Sequence, residues 1–305
     1  GRGMRYVIIG GSAAAIGCIE GVRSVDKTGE IILITGETEW NYSRPLISYL
    51  LEGKTTRDKM WCRPDSFFTR NGVTVKAGVL ATTLDAGDRT VRLSTGERLA
   101  YDRLLAATGS RPFVPPIPGL ETVERTFCFQ TLSDASALAE ALRPESRVLI
   151  LGAGLTGVKC AEGIRGLCAQ IAIADLAPRV LPAVLDDTAA AMVQARMEEK
   201  GVRFYLNDSA AAFRGNTARL QSGTELEFDV LVTAVGVRPN TQLVADAGGA
   251  VDRGILVDGR CATTLPDVYA AGDCAQGYDA VSGEKRMLPL WPNAVLQGET
   301  AGINM

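Results

Sequence analysis

The sequence predicts an α/β fold in which one supersecondary unit occurs twice. In each copy an apolar strand leads into a glycine-rich turn, a helix and a second apolar strand. Each copy continues with short strands separated by glycine, a pattern typical of an antiparallel meander, and then with a returning apolar strand. Strands that alternate with helices favour a mainly parallel sheet covered by helices. We therefore predict two Rossmann-like units of three layers (ββα), each with its own meander.

Composition limits the kind of protein that this chain can be. Its 305 residues are enough for roughly two domains, and the formal net charge of -3 does not suggest a nucleic-acid partner. No apolar run approaches the roughly 20 residues that span a bilayer. We therefore expect no nucleic-acid or membrane partner and a cytoplasmic location.

Histidine is absent, and the seven cysteines include no C-x-x-C pair and no zinc or iron-sulfur spacing. The lack of histidine excludes histidine-ligated metals and serine-histidine or cysteine-histidine nucleophiles. We expect no metal site and buried, reduced thiols, so any chemistry is carried by a cofactor.

The first unit begins with a strand over 6–9, a small-residue turn over 10–15, a helix over 16–24 and a strand over 31–34. Such a turn brings backbone N–H groups and the positive end of a helix dipole to a pyrophosphate. Glu37 follows the second strand, where an acid accepts hydrogen bonds from an adenosine ribose. The unit therefore predicts a dinucleotide site.

The first turn matches the G-x-G-x-x-G fingerprint imperfectly. Its three fingerprint positions are Gly10, Ser12 and Ala15. Alanine at the third position still allows close helix-strand packing, whereas serine at the second adds a side chain where the phosphate approaches. On these residues alone, a strand-to-helix connection without a ligand stays an open alternative.

A loop over 41–48 and a meander complete the first unit. The loop carries Tyr42, Arg44 and Pro45, so it either covers a planar ring system or is a surface loop in which proline starts a helix. The predicted strands of the meander are 73–75, 79–84, 90–93 and 98–105, and residues 104–107 return to the main sheet. Thr108-Gly109 follows, and a proline-rich run at 115–119 marks the first crossing between domains.

The second unit has an intact fingerprint. After a helix over 133–142 and a strand over 148–151 come Gly152, Gly154 and Gly157, with Leu155 and Thr156 between the last two glycines. A helix over 158–167 and a strand over 170–174 follow, and the strand ends at Asp175. Strand, fingerprint, helix, strand and acid occur in the order that a nucleotide site requires.

The rest of the chain completes both units. The predicted elements are a helix over 187–200, a meander over 203–228, a strand over 230–234 ending near Gly236, strands over 255–258 and 268–271, the pair Gly272-Asp273, and a helix from Ala294. The sequence stops at Met305 inside that helix, so we expect a further segment after it.

Six motifs in order carry a resemblance to a known family. They are the Gly10 turn with Glu37, Tyr42-Ser43-Arg44-Pro45, Ala107-Thr108-Gly109, the Gly152 turn, the run 235–240 and Tyr269-Ala270-Ala271-Gly272-Asp273. Together they resemble the FAD-dependent pyridine nucleotide-disulfide oxidoreductase superfamily over almost the whole chain. Within it, the chain resembles the rubredoxin and ferredoxin reductases, and most closely the FAD/NADH-binding front part of the assimilatory nitrite reductase large subunit.

The resemblance implies one domain inserted in another. Residues 1–118 and 241–305 would form a discontinuous FAD-binding domain, and residues 119–240 would form an NAD(P)H-binding domain. The interface domain that usually follows in this family is not in the sequence, which leaves the oligomeric state open.

The resemblance also implies roles for individual residues. Arg44 and Lys159 would lie at the reacting centre, although the flavin itself performs the chemistry. Lys159 stands where relatives often have glutamate, so it either changes the charge near the flavin or extends to solvent. The implied FAD contacts are Gly10, Ser12, Ala15, Glu37, Arg44, Pro45, Ala107, Thr108, Gly109, Gly272, Asp273 and Trp291. The implied nicotinamide nucleotide contacts are Gly152, Gly154, Leu155, Thr156, Gly157, Asp175 and Gly236.

One departure from the family narrows the implied activity. The loop over 41–46 has no cysteine, and the chain lacks the C-x-x-x-x-C pair of the disulfide reductases. Electrons would therefore pass from FAD directly to rubredoxin, ferredoxin, an iron-sulfur or haem subunit, or a small acceptor. The alternatives are an NADH oxidase that uses oxygen and a flavin-binding sensor or assembly subunit. Asp175 favours NADH over NADPH, although Arg179 is close enough in sequence to oppose that preference.

Overall fold

A computed structural model describes residues 3–277 and 294–305, and the chain divides into two compact units. Unit 1 comprises Gly1–Tyr42, Trp61–Arg111 and Arg238–Met305, and unit 2 comprises Ser43–Met60 and Pro112–Val237. The domain boundaries predicted from the sequence remain a proposal. Trp291 lies outside the described residues.

The described residues form short strands and helices. The strands are β1 (Arg5–Ile9), β2 (Glu30–Thr35), β3 (Val73–Ala77), β4 (Ala81–Asp85), β5 (Thr90–Leu93), β6 (Arg98–Ala100), β7 (Arg103–Ala106), β8 (Ser110–Pro112), β9 (Thr126–Phe127), β10 (Arg147–Leu151), β11 (Gln170–Asp175), β12 (Val202–Leu206), β13 (Ala210–Arg214), β14 (Thr217–Leu220), β15 (Glu225–Glu227), β16 (Val230–Thr233), β17 (Val237–Pro239), β18 (Ile255–Val257), β19 (Val268–Ala270) and β20 (Ala275–Gly277). The helices are α1 (Ala13–Val25), α2 (Ile47–Leu51), α3 (Asp65–Arg70), α4 (Leu132–Ala141), α5 (Leu155–Ile164), α6 (Asp187–Glu199), α7 (Gln242–Asp246) and α8 (Ala294–Asn304).

Unit 1 is built on a parallel sheet in the order β19-β7-β1-β2-β3. Successive residues of β1 point to opposite faces of this sheet. Tyr6 and Ile8 pack in the core that contains α1, whereas Val7 and Ile9 pack in the core under the meander. The sheet is therefore the middle of three layers.

The meander of unit 1 differs in one respect from the sequence prediction. Strands β4, β5 and β6 pair antiparallel as expected, but β3 pairs parallel with β2 at the edge of the main sheet. The reason is α3, a short crossover helix that the sequence analysis did not identify and that packs on β3. The predicted single strand over 98–105 is also two strands, β6 and β7.

Unit 2 repeats this plan. Its parallel sheet has the order β12-β11-β10-β16-β9, and β13, β14 and β15 form an antiparallel meander. As in unit 1, the first strand of the predicted meander, here β12, belongs to the edge of the parallel sheet instead. Phe213 and Phe228 join the meander to the sheet and pack edge to face, with ring centroids 6.0 Å apart. The structure confirms the predicted fold class.

Helices α1 and α8 of unit 1 meet through four glycines. A Cβ on Gly298 would lie 1.9 Å from the carbonyl oxygen of Ala14, and one on Gly17 would lie 1.9 Å from that of Val295. Gly21 and Gly302 make equivalent contacts with the facing backbone, at 2.3 Å. Glycine is required at these positions because only a residue without Cβ lets two helix backbones approach so closely. None of the described helices is long and apolar enough to cross a membrane.

The variant Gly298→Ala tests this contact. Its methyl group would clash with a backbone oxygen, and a backbone oxygen cannot rotate away as a side chain can. We therefore expect the free energy of unfolding to fall by about 1–3 kcal/mol. Urea denaturation followed by circular dichroism measures the change. The control is Gly259→Ala, because no atom lies within 4 Å of its Cβ position. Equal stability of the two variants would contradict the proposed packing.

Candidate functional site

The turn before α1 and the turn before α5 have the same backbone geometry. Gly10 has φ +111° and Gly152 has φ +117°, a region that side chains other than glycine rarely enter. A Cβ on Gly10 would lie 1.9 Å from the oxygen of Ala107, and one on Gly152 would lie 2.1 Å from that of Ala234. In both units the first glycine therefore lets the turn lie directly on the returning strand.

The helices that follow these turns begin without a side-chain cap. The side chain of Ser12 before α1 makes no capping hydrogen bond, and Gly154 before α5 has no side chain that could cap. The short helices α2, α3 and α7 also lack a side-chain cap, whereas the longer helices α4 and α6 are capped by Thr131 and Asp186. Since the first N–H groups of a helix have no partner within the helix, α1 and α5 offer these donors to an anion. This arrangement fits a pyrophosphate in each unit.

The second and third fingerprint positions make the two turns unequal. In unit 2, a Cβ on Gly154 would have no atom within 4 Å, and one on Gly157 would lie 1.9 Å from the oxygen of Gly152. In unit 1 the same positions hold the half-buried Ser12 and the buried Ala15. In unit 2 a ligand can therefore lie directly against the backbone of the turn. In unit 1 the hydroxyl of Ser12 occupies the corresponding position.

The end of β19 lies beside the first turn. The N–H of Gly272 donates to Oε1 of Gln297 in α8, and a Cβ on Gly272 would lie 3.2 Å from Cβ of Ala14. Asp273, the next residue, is exposed. The structure therefore brings the predicted pair Gly272-Asp273 to the predicted pyrophosphate turn.

The Thr108-Gly109 segment is held by a residue whose role the sequence analysis missed. Oγ1 of Thr108 donates to the backbone oxygen of Asn240 at 2.7 Å, and Nδ2 of Asn240 donates to the backbone oxygen of Thr108 at 2.8 Å. The N–H of Asn240 donates to Gly109 O at 2.9 Å, and Nη1 of Arg111 donates to Asn240 Oδ1 at 3.1 Å. The run 235–240 was recognised as a motif, but these long-range bonds cannot be found from spacing.

Glu37 and Trp40 follow β2 in unit 1. Glu37 is half-buried, and its N–H donates to Oγ1 of Thr35 at 3.3 Å. The ring of Trp40 packs on Gly11, and its Cε3 atom lies 2.7 Å from where a Cβ on Gly11 would stand. The same ring packs edge to face against Phe68, with the two ring centroids 5.0 Å apart. This aromatic contact supports the turn from the side and was not predicted.

All seven cysteines are free thiols, and four of them are buried. Burial raises the pKa of Cys168 and of Cys261 to about 11. Burial also raises the pKa of Cys274, although hydrogen bonds with Thr108 and Gly109 oppose the shift. These thiols therefore stay protonated at neutral pH. Across the described residues, no group of three or more Cys, Asp or Glu side chains could hold a metal ion.

Unit 2 contains a cavity of about 500 Å³ at its glycine turn. The turn contributes Gly154, Leu155 and Thr156, and the ends of two strands contribute Asp175 and Gly236. The other walls are largely apolar and come from Pro112, Phe129, Gln130, Ala174, Leu176, Leu181, Pro182, Ala183, Val184, Ser209, Thr233, Ala234, Val235 and Val237. The residues predicted to hold a nicotinamide nucleotide thus line one cavity, except for the packed glycines 152 and 157.

Asp175 is fixed at the rim of this cavity. Its Oδ2 accepts a hydrogen bond from the N–H of Ala153 at 2.6 Å, and its Oδ1 accepts one from Ala177 at 2.8 Å. Each carboxylate oxygen keeps a further acceptor position. The acid therefore both orders the turn and presents acceptors to a ligand.

Arg44 and Lys159 lie in unit 2. Arg44 and Pro45 belong to a short 3-10 helix, Arg44–Leu46, and Nη1 of Arg44 donates to Gln130 O at 3.3 Å. Lys159 is half-buried in α5, and its Nζ lies 5.5 Å from the ring centroid of Tyr49 in α2. A cation over an aromatic face is a favourable contact. The lysine therefore packs on Tyr49 rather than extending freely into solvent.

Comparison with known proteins assigns the family. The model of the pyridine nucleotide-disulphide oxidoreductase family matches residues 4–298. The chain belongs to this family. Membership confirms the predicted family, the predicted enzyme class and the predicted coenzymes, FAD and a pyridine nucleotide.

Three relatives illustrate the range of functions within the family. The chain is 33% identical over 305 residues to the NADH-dependent phenylglyoxylate dehydrogenase subunit epsilon of Aromatoleum evansii, covering 99% of this chain and 72% of the relative. It is 32% identical to the assimilatory nitrate reductase electron transfer subunit of Bacillus subtilis, covering 92% of this chain but only 37% of that protein. It is 30% identical to an NADH oxidase of Methanocaldococcus jannaschii, covering 99% and 70%.

A solved structure agrees with these matches. The covalent putidaredoxin reductase-putidaredoxin complex contains a chain that superposes with a TM-score of 0.88 at 26% identity, covering 99% of this chain and 75% of that one. The similarity extends over both parallel sheets, because almost the whole chain is aligned. It therefore supports the fold class independently of the family model.

The variant Asn240→Ala tests the Thr108-Gly109 geometry. It removes the bond to Thr108 O and the acceptor for Arg111, so we expect a loss of stability of about 1–3 kcal/mol and weaker FAD retention. Flavin absorbance after gel filtration and urea denaturation measure the two effects. The control is Asn216→Ala, since Asn216 lies in the unit 2 meander. Full FAD retention by Asn240→Ala would show that the segment does not depend on this residue.

Proposed function

We propose that this chain is a flavin-dependent NADH:acceptor oxidoreductase that uses no redox-active disulfide. The observation that carries the proposal is the pair of uncapped glycine turns in one chain, the second of which opens on a cavity of about 500 Å³. When bound, FAD supplies a two-electron acceptor for hydride and a route for electrons to a further acceptor.

The protein's own part is to bind and orient the two coenzymes. In unit 1, the Gly10 turn and the N-terminus of α1 would hold the FAD pyrophosphate, Glu37 would accept from its ribose, and Asp273 would bond the ribityl-phosphate region. The remaining proposed FAD contacts are Ser12, Ala15, Arg44, Pro45, Ala107, Thr108, Gly109, Gly272 and Trp291. No protein side chain needs to act as a strong acid or base, which is consistent with the lack of histidine.

In unit 2, the Gly152 turn and the N-terminus of α5 would hold the nicotinamide nucleotide. Leu155, Thr156 and Gly236 line the same cavity and would position it. Correct placement of two reactants supplies much of the rate in such transfers, because it replaces a bimolecular encounter by a fixed geometry. Lys159 and Arg44 are proposed to act near the reacting centre through charge.

The proposed acceptor is a redox protein or a small oxidant. Two relatives are named as an electron transfer subunit and as a reductase in complex with putidaredoxin, which supports a protein acceptor. The relative named NADH oxidase supports oxygen as the second candidate. Burial raises the pKa of the Cys168 and Cys261 thiols, so they are poor candidates for a thiolate that relays electrons. This supports direct transfer from the flavin to the acceptor.

Anaerobic mixing of the FAD-loaded protein with NADH tests the proposal. We expect rapid loss of the visible absorption band of the flavin, followed by recovery when ferricyanide or an iron-sulfur protein is added. Tight NADH binding without bleaching would contradict the proposal and favour a sensor or assembly subunit. Recovery with oxygen that no carrier protein accelerates would favour the oxidase.

The variant Asp175→Asn tests the choice of nucleotide. A carboxylate accepts from ribose hydroxyls but repels a 2'-phosphate, so removing its charge should shift the kcat/KM ratio towards NADPH by about ten- to hundredfold. Asparagine retains one oxygen for the bond from Ala153 and loses the bond from Ala177, a loss that affects both nucleotides and so cancels in the ratio. Glu198→Gln, on the exposed face of α6, is the control. An unchanged ratio would exclude Asp175 as the determinant.

A further inference from the structure

The segment over 176–186 joins β11 to α6 and forms one wall of the unit 2 cavity. Its members Leu176, Leu181, Pro182, Ala183 and Val184 line that cavity, and Val184 is 69% exposed. A connection of this length without regular structure needs tertiary bonds to keep one conformation. The wall of the cavity is therefore only as well defined as the bonds that hold this segment.

One bond attaches the segment to the glycine turn. The N–H of Leu181 donates to the oxygen of Ala153 at 2.8 Å, and Leu181 has φ +47°, which is unusual for a branched side chain. The N–H of the same Ala153 donates to Asp175. The middle residue of the Gly-Ala-Gly turn is thus bonded to the last residue of β11 and to the middle of the segment.

The guanidinium group of Arg179 bonds to backbone carbonyl oxygens further along the segment. Its Nε donates to Leu185 O at 3.0 Å and its Nη2 donates to Pro182 O at 3.1 Å. Its Nη1 lies 3.3 Å from Oδ1 of Asp187. The Asp187 side chain is 91% exposed, so this ion pair contributes little. The two bonds from Arg179 to carbonyl oxygens therefore add to the turn bonds that the N–H groups of Val184 and Leu185 donate to Leu181 O.

The orientation of Arg179 matters for nucleotide choice. The three guanidinium nitrogens contact Leu185 and Pro182 in the segment and the first residue of α6, and Arg179 does not itself line the cavity. An arginine that selects NADPH has to place its guanidinium against a 2'-phosphate. Arg179, which by its position in the sequence could have favoured NADPH against Asp175, therefore bonds to its own loop instead.

We propose that Arg179 is a positioning residue that fixes the apolar wall over 181–185 against the glycine turn and so sets the affinity for the adenosine half of either nucleotide. This inference rests on the proposed function, because it assigns the cavity to a nicotinamide nucleotide. Arg179 acts through the wall and not through a phosphate contact. It therefore stabilises NADH and NADPH binding equally and leaves discrimination to Asp175.

The experiment compares four forms of the FAD-loaded full chain: wild type, Arg179→Ala, Arg179→Lys and Arg143→Ala. Arg143 is the matched control, because its guanidinium also donates to carbonyl oxygens, those of Glu140 and Leu142, away from the residues that line the cavity. Dissociation constants for NAD⁺ and NADP⁺ are measured by calorimetry. The rate of flavin reduction is measured at saturating NADH and NADPH.

We expect Arg179→Ala to weaken NAD⁺ and NADP⁺ binding by a similar factor, about tenfold, because the wall loses two hydrogen bonds that keep it in the binding shape and must then be ordered when the nucleotide binds. Arg179→Lys should fall between wild type and Arg179→Ala for both nucleotides, since one ammonium group lacks the fork that reaches both carbonyls. The saturated rate of flavin reduction should not change. Arg143→Ala should bind both nucleotides like wild type.

Selective loss of NADP⁺ binding in Arg179→Ala would overturn the inference and identify a phosphate contact instead. Unchanged binding of both nucleotides would also overturn it. If Arg179→Ala does not fold, as judged by circular dichroism, Arg179→Lys decides by the same comparison. Failure of the wild type to bind NAD⁺ would contradict the proposed function, whereas normal wild-type binding with unaffected variants would contradict only the role of Arg179.

Discussion

The structure depends on the contact between a glycine turn and the strand that returns beside it. A Cβ on Gly10 would lie 1.9 Å from the carbonyl oxygen of Ala107, directly after β7, and one on Gly152 would lie 2.1 Å from that of Ala234, directly after β16. The missing Cβ leaves room for these oxygens. This contact places the N-terminus of the following helix at the carboxyl end of a parallel sheet. Ligands of open α/β sheets bind at that edge, so both candidate sites follow from one steric constraint.

The two units use this constraint with different surroundings. Unit 2 keeps glycine at all three fingerprint positions and surrounds the turn with an apolar cavity, whose wall is bonded back to Ala153. Unit 1 replaces two glycines and adds support from elsewhere in its fold. Trp40 packs on the turn, and α8 lies close against α1 through Gly298 and its neighbours. The weaker fingerprint is thus accompanied by contacts from Trp40 and α8.

Much of this arrangement could be predicted from local pattern. Apolar runs, glycine spacing and terminal acids such as Asp175 identified both turns, the returning strands and the fold class, because each depends on residues that are near one another in sequence. The parallel edge strands β3 and β12 were assigned to meanders, since short strands look alike until their partners are known. The bonds of Asn240 to Thr108 and of Arg179 to Pro182 could not be predicted, because hydrogen-bond partners depend on backbone paths that spacing does not determine.

A crystal structure of the full chain with FAD and NAD⁺ tests the central claim most directly. We expect one FAD per chain with its pyrophosphate on the N–H groups at Ser12–Ala14, and one NAD⁺ with its pyrophosphate at Gly154–Thr156 and its adenosine ribose within hydrogen-bond reach of Asp175. A nucleotide bound to only one of the two turns, or both coenzymes bound away from them, would contradict it.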